Sequence, residues 1–232
     1  MSTLLKLMAL EFRKNRIMGM LKGVIIANLG ILAFMVLLIF IDQTESQEFK
    51  TYEDIFYPLQ VFVNATFIVF SGVVLSRLVI DEYRSNTITQ LFMYPIPRKK
   101  IMAAKLLIVG LFAFFSVIVT NLVVGVILVA INKATGHIPG LPDLALLLDQ
   151  LIKIGLNAIL TACMSLIPLY FGLRKKSIQA TIVTSIIVTA IVSGNFGTVR
   201  VGDFIIVTAV MAVIGLLVGA ASLRNIETED VA

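Results

Sequence analysis

Residues 106–131 read LLIVGLFAFFSVIVTNLVVGVILVAI, without a single charged side chain. A helix on the surface of a soluble fold keeps a polar face, and only one surrounded by apolar material is apolar all round. About 20 apolar residues cross the hydrocarbon layer of a bilayer, so a run of this length reads as a membrane-spanning helix. Similar blocks occupy residues 23–41, 56–76, 154–171, 178–194 and 204–223. The sequence therefore predicts an all-α integral membrane protein with six transmembrane helices. The composition agrees: 59% of residues are hydrophobic and 14% charged, where a soluble domain carries about 25% charged residues. The first block follows a basic amphipathic stretch and lacks a small-residue cleavage site, so it reads as a retained helix and not a signal peptide.

Charge supplies an orientation. Residues 1–22, 77–105, 174–176 and 224 hold fifteen of the nineteen basic residues, and all fall on one side of a six-span chain. Lys50, Lys133, Lys153 and Arg200 fall on the other, together with eight of the fourteen acids, among them Asp42, Glu45, Glu48, Glu53 and Asp54. Lysine and arginine collect on the cytoplasmic side, which predicts cytoplasmic termini and a multi-pass protein of the cell membrane. The net charge of +5 is thus a topology signal and gives no reason to expect a nucleic-acid partner. Cys163 is the single cysteine, which excludes an intrachain disulfide.

Between the second and third blocks lies DEYRSNTITQLFMYPIPRKKIMAAK, residues 81–105. Its charges exclude it from hydrocarbon. Residues 81–92 have helical character, with Ile88, Leu91 and Phe92 as the apolar positions. Pro95 and Pro97 push the residues before them toward extended geometry, so that helix is expected to end near Tyr94. Arg98, Lys99 and Lys100 restart the chain at the membrane surface, and Lys105 is expected to snorkel to the headgroups. Such an element would lie flat on the membrane and present a stiff edge to a soluble partner. The plain alternative is a stop-transfer loop with incidental charge. It accounts for the basic triplet, but not for the polar start or the paired prolines after an aromatic.

The run EYRSNTITQLFMYPIPRKKIMAAKLL resembles the first cytoplasmic loop of permease subunits in the type-2 exporter family of ABC transporters. Glu82, Tyr83, Arg84, Asn86, Thr87, Tyr94, Pro95, Ile96, Arg98, Lys99 and Lys105 match that family's pattern of polar start, apolar helix, Tyr-Pro-Ile turn and basic pair. The resemblance implies a coupling helix that docks into a cleft on a separate cytoplasmic ATPase subunit. Asp81, Glu82, Tyr83, Arg84, Asn86, Thr87, Tyr94, Pro95, Pro97, Arg98, Lys99 and Lys100 would be its coupling residues. It also implies two permease subunits and two ATPases per transporter, with ATP and Mg on the ATPase and no cofactor in this chain. The small size and the FRKNR-type amino terminus are most similar to permeases that remove peptide antibiotics such as bacitracin or lantibiotics. One departure is that residues 193–203 are too short for the re-entrant helices many members carry there. The longer late outer segment is 132–153.

Residues 1–22 place Leu4, Leu7, Met8 and Phe12 beside Lys6, Arg13, Lys14 and Arg16, the mixture of an interfacial helix lying on anionic lipid. Residues 224–232 form the expected cytoplasmic tail. No Asp, Glu, Lys, Arg or His falls in the middle of a predicted span, which argues against an ion-coupled pump. Asn28, Asn64, Thr66, Asn121, Asn157, Thr161, Ser165, Thr184 and Thr189 do fall within spans. They read as helix–helix hydrogen-bonding groups or, in part, as the lining of a path between two subunits. Gly215 and Gly219 form a small-residue spacing that fits a close-approach helix contact, one use of which is a dimer face, and Pro168 is expected to kink the fourth span. Leu144–Leu148 with Asp149 and Lys153 reads as a short interfacial helix carrying an i,i+4 ion pair.

His137 alone cannot build a zinc site. The chain has no Gly-Lys dipeptide and so no phosphate-binding loop. The sequence thus leads to a non-enzymatic permease subunit of an ATP-driven exporter. It would move an amphipathic substrate such as a peptide antibiotic or lipid-like molecule, while membrane lipids, ATPase subunits and a second permease are its expected partners. The rival is a non-transporting membrane anchor or assembly protein whose loop binds another soluble protein.

Overall fold

In a computed structural model of the chain, the residues described are 8, 18–44, 49–84, 98–136, 140, 142–196, 199–200 and 205–225. They form seven principal helices: α1 (Met18–Thr44), α2 (Tyr52–Leu75), α3 (Arg98–Thr135), α4 (Leu144–Met164), α5 (Pro168–Lys175), α6 (Ile178–Val192) and α7 (Ile205–Asn225). The only strands among them pair Asn195 with Arg200 and Phe196 with Val199, an antiparallel hairpin of two residues a side.

Local chemistry sets several helix ends. Thr51 caps α2 through a reciprocal capping box: its side chain accepts from the Asp54 backbone, and the Asp54 carboxylate accepts from the Thr51 backbone at 2.8 Å. Past Leu75 the helix does not stop. It widens into a π-turn over Ser76–Ile80 and closes with one α-turn, Asp81–Arg84. The expected separate helix beginning at Asp81 is therefore, over its first four residues, the end of the second helix. Its remainder, with Asn86, Thr87, Tyr94, Pro95 and Pro97, lies outside the described residues, as do most of 1–17, Glu45, Glu48, His137 and the tail beyond 225.

Five helices among the described residues are long and apolar enough to cross a membrane: Gly19–Asp42, Tyr52–Arg84, Lys99–Thr135, Leu144–Lys175 and Val207–Arg224. The fifth expected span, α6, has 15 residues, about 22 Å at 1.5 Å per residue, and falls below that length. The fourth span also differs from expectation. Leu144–Asp149 is the first part of α4 and not a separate interfacial helix, although the Asp149–Lys153 ion pair forms at 2.7 Å. At Pro168, where a kink was expected, the helix is interrupted: Ser165–Ile167 form a turn and Pro168 opens α5 at its first turn, where the missing N–H costs nothing.

The core divides along the bundle. At one end Met35, Ile39, Ile55, Leu59, Val63, Val124 and Leu128 join α1, α2 and α3. At the other, Met20, Leu78, Val79, Met102, Leu106 and Leu169 pack with Leu173, Ile178 and Leu223. That second cluster gathers the start of α1, the end of the second helix, the start of α3, α5, the start of α6 and the end of α7. Lys22, Arg77, Arg84, Lys100, Arg174, Lys175, Lys176 and Arg224 belong to those same helix ends and are exposed, so the described basic residues that were expected to be cytoplasmic gather at one end of the bundle. Outward-facing Ile25, Ile26, Leu29, Phe40, Val126, Ile152 and Leu217 are more than half exposed, the surface an apolar solvent requires.

Close backbone approaches use glycine. A Cβ on Gly72 of α2 would fall 2.7 Å from Ser185 of α6. Gly215 of α7 lies directly on the Cys163 carbonyl at the end of α4, and Gly219 sits beside Leu166. The Gly215–Gly219 face, expected to serve dimerisation, is thus occupied within the chain.

Candidate functional site

The base of the second helix and the base of α3 meet at the basic end, flanking the segment 85–97. Lys105 lies seven residues into α3, about 10 Å along its axis, on the helix face turned toward the second helix. Its expected escape to the headgroups does not occur: the residue is 1% exposed. Its ammonium lies 2.9 Å from Glu82 Oε1 and donates at 2.9 Å to the carbonyl oxygen of Leu78. Glu82 is itself buried, 8% exposed. A lysine that can snorkel does so when water is cheaper than burial; here a carboxylate and a carbonyl take the place of water.

Leu78 sits in the π-turn. A π-turn replaces the regular i→i−4 ladder with i→i+5 bonding, seen here in the Asp81 N–H donating to the Ser76 carbonyl. The same turn carries the carbonyl that receives Lys105. It is held from the other side by the α5–α6 junction, where a Cβ on Gly172 would fall 2.8 Å from the Ile80 side chain. That junction closes as a Schellman turn. The Lys176 N–H donates to the Leu173 carbonyl, the Ser177 N–H donates to the Gly172 carbonyl, and Lys176 takes φ 45 and ψ 39.

The other site residues expected from sequence divide by exposure. Asp81 and Arg84 are exposed and Tyr83 is half-buried against the basic-end core; Lys99 is half-buried and Lys100 exposed. Arg98 opens α3. Glu82 stands apart, because its side chain is turned into the protein. The partnership of Glu82 with Lys105 escaped sequence reasoning, although a signal existed: opposite charges at the end of one apolar block and the head of the next belong to adjacent antiparallel helix ends. Nothing in the sequence marks the π-turn.

Most of the polar residues within the helices bond to other helices or to their own. Asn64 and Asn157 pair across α2 and α4, and Thr161 donates to Asn64 Oδ1 at 3.2 Å. Gln60 donates to Gln150 at 3.3 Å one turn along, while Thr120 of α3 donates to Asn28 of α1. Asn121, Ser165, Thr184 and Thr189 bond to carbonyls in or next to their own helices. At the far end Asn132 donates to the Tyr52 hydroxyl, which donates to the Gly140 carbonyl. Bonds of this kind average about 0.6 kcal/mol in membrane proteins. The helix–helix reading therefore holds for Asn28, Asn64, Asn157 and Thr161, while Asn121, Ser165, Thr184 and Thr189 turn back on their own backbone. Among the described residues no cluster of three or more His, Cys, Asp or Glu could hold a metal ion.

Across known families, residues 7–193 match the family described as "ABC-2 family transporter protein". The chain belongs to that family. The ABC-2 chain is also 30% identical over 227 residues to a curated relative, the uncharacterized protein YcbO of Bacillus subtilis strain 168, covering 97% of this chain and 100% of the relative. No solved structure matches it. The ABC-2 family and the apolar helices together make this protein a multi-pass membrane component of a transporter.

Proposed function

We propose that the chain is the permease subunit of an ATP-driven exporter in the cell membrane, powered by separate cytoplasmic ATPase subunits that dock at the basic end, on segment 85–97 and its flanks. The observation that carries this reading is the family match over residues 7–193. It is supported by exposed Asp81, Arg84 and Lys100 standing on either side of that segment. Six crossings, with α6 counted despite its length, would put both termini in the cytoplasm, as the basic helix ends favour.

Two such subunits, identical or different, would enclose the path, and each would move when its second and third helices tilt. The chain itself would hold no ATP or Mg and would catalyse no hydrolysis. The apolar helices suit an amphipathic cargo of the peptide-antibiotic or lipid-like kind.

The test is gentle detergent purification of the tagged chain from its native membranes, with mass spectrometry of what co-purifies. A stoichiometric soluble ATPase with a phosphate-binding loop, reduced in amount by Arg84→Ala with Lys100→Ala, is the expected result. Glu82→Ala is the poorer probe, because it strips a buried partner from Lys105. Recovery of the folded chain alone would return it to the class of membrane anchors.

A further inference from the structure

We propose that Lys105 and Glu82, closed onto the Leu78 carbonyl, are a positioning clasp that ties together the two stems of segment 85–97. The stems then turn as one body when that segment is moved. The clasp stands on geometry alone; its use in coupling rests on the exporter reading above.

Three observations converge. First, the pair bridges the neck of the segment, with Glu82 on the stem that enters it and Lys105 on the stem that leaves it. A contact there fixes the separation and register of both stems whatever the intervening residues do. Second, the ammonium has three protons, and the carboxylate and the π-turn carbonyl, each at 2.9 Å, engage it in two directions. A carbonyl of the π-turn thus serves as the lysine's second acceptor. Third, packing alone does not call for charge at this depth. Apolar residues of similar volume fill a buried site as well as an ion pair or better, and the attested use of such pairs is to specify register. Gly172 presses the α5–α6 junction onto Ile80 of the same turn, so movement of the clasped stems reaches α5 and α6 directly.

The test uses the full chain in lipid nanodiscs, with Cys163→Ala and spin labels at Arg77→Cys and Lys100→Cys, two exposed positions on the two stems. Pulsed electron–electron resonance reads the distance distribution. The parent should give one narrow peak. Glu82→Gln with Lys105→Met removes both charges and keeps the volume, so it should retain thermal stability but lose the narrow peak. Lys105→Arg, which keeps a cation able to donate both to the carboxylate and to the Leu78 carbonyl, should keep it. A narrow peak that persists in the neutral variant, or is lost in Lys105→Arg, overturns the clasp. Absence of any co-purifying ATPase from the parent overturns the exporter reading and leaves the distance result intact. When the ATPase is present, the neutral variant should bind it in the parent's ratio yet lose the ATP-dependent shift in the label distance.

Discussion

Asn64 on α2 and Asn157 on α4 exchange two hydrogen bonds, each 3.0 Å long, with each amide nitrogen donating to the other's oxygen. Asn64 Oδ1 also accepts from the Thr161 hydroxyl, and neither asparagine is replaceable alone. Asn157→Leu should destabilise the protein by about 1–2 kcal/mol, since it strands an amide inside the bundle. The double replacement with Asn64→Leu should cost less than the two singles added. Thermal unfolding in detergent of the four proteins measures the cycle, and strict additivity would refute a direct pair.

Gly215 has the Cys163 carbonyl where a side chain would begin. Gly215→Val should therefore part α4 from α7 at a cost of about 3 kcal/mol, the upper end for overpacking. Gly219 faces the tip of Leu166 at 3.2 Å, and Gly219→Ala should stay within about 1 kcal/mol as that side chain shifts. Fluorescence-detected size-exclusion after heating ranks the two. Equal tolerance at both positions would contradict the packing described.

Lys176 holds left-handed backbone at φ 45 in the α5–α6 turn. A side chain there costs about 1–2 kcal/mol relative to glycine. Lys176→Gly should raise the melting temperature by a few degrees, offset in part by the lost favourable charge at the helix end. A lowered melting point would show that the lysine's charge outweighs its backbone strain.

The Asp149–Lys153 pair is short, 2.7 Å, but its side chains are 53% and 48% exposed. Solvent screening leaves exposed pairs worth about 0–1 kcal/mol. Lys153→Ala should leave thermal stability within about 0.5 kcal/mol of the parent. A larger loss would place this end of α4 in a drier setting than its exposure indicates.

The apolar blocks made the helices legible, because hydrocarbon imposes one rule on composition over a whole span. At α6 they set the helix to within two residues, 178–194 against Ile178–Val192, but apolar composition alone does not say whether 15 residues cross. Pro168 was readable as an interruption, yet its position at the first turn of a new helix depends on the turn at Ser165–Ile167, which no local signal announces. Lys105 was misread because its immediate neighbours favour snorkelling. Its burial depends on Glu82 and Leu78, more than twenty residues upstream in sequence and brought close only by antiparallel packing. The Gly215–Gly219 spacing was read as a close-approach face, but the partner it meets, α4 of the same chain, is a tertiary fact. Asp81–Arg84 looked like the start of something because its charges begin there, although the backbone continues unbroken from Tyr52.

The 15 residues of α6 leave it about 8 Å short of a hydrocarbon layer about 30 Å thick. If α6 is counted as a crossing of the proposed exporter, lipid beside it would compress, or headgroups and water would dip to meet its ends, and the bilayer would be at its shallowest there.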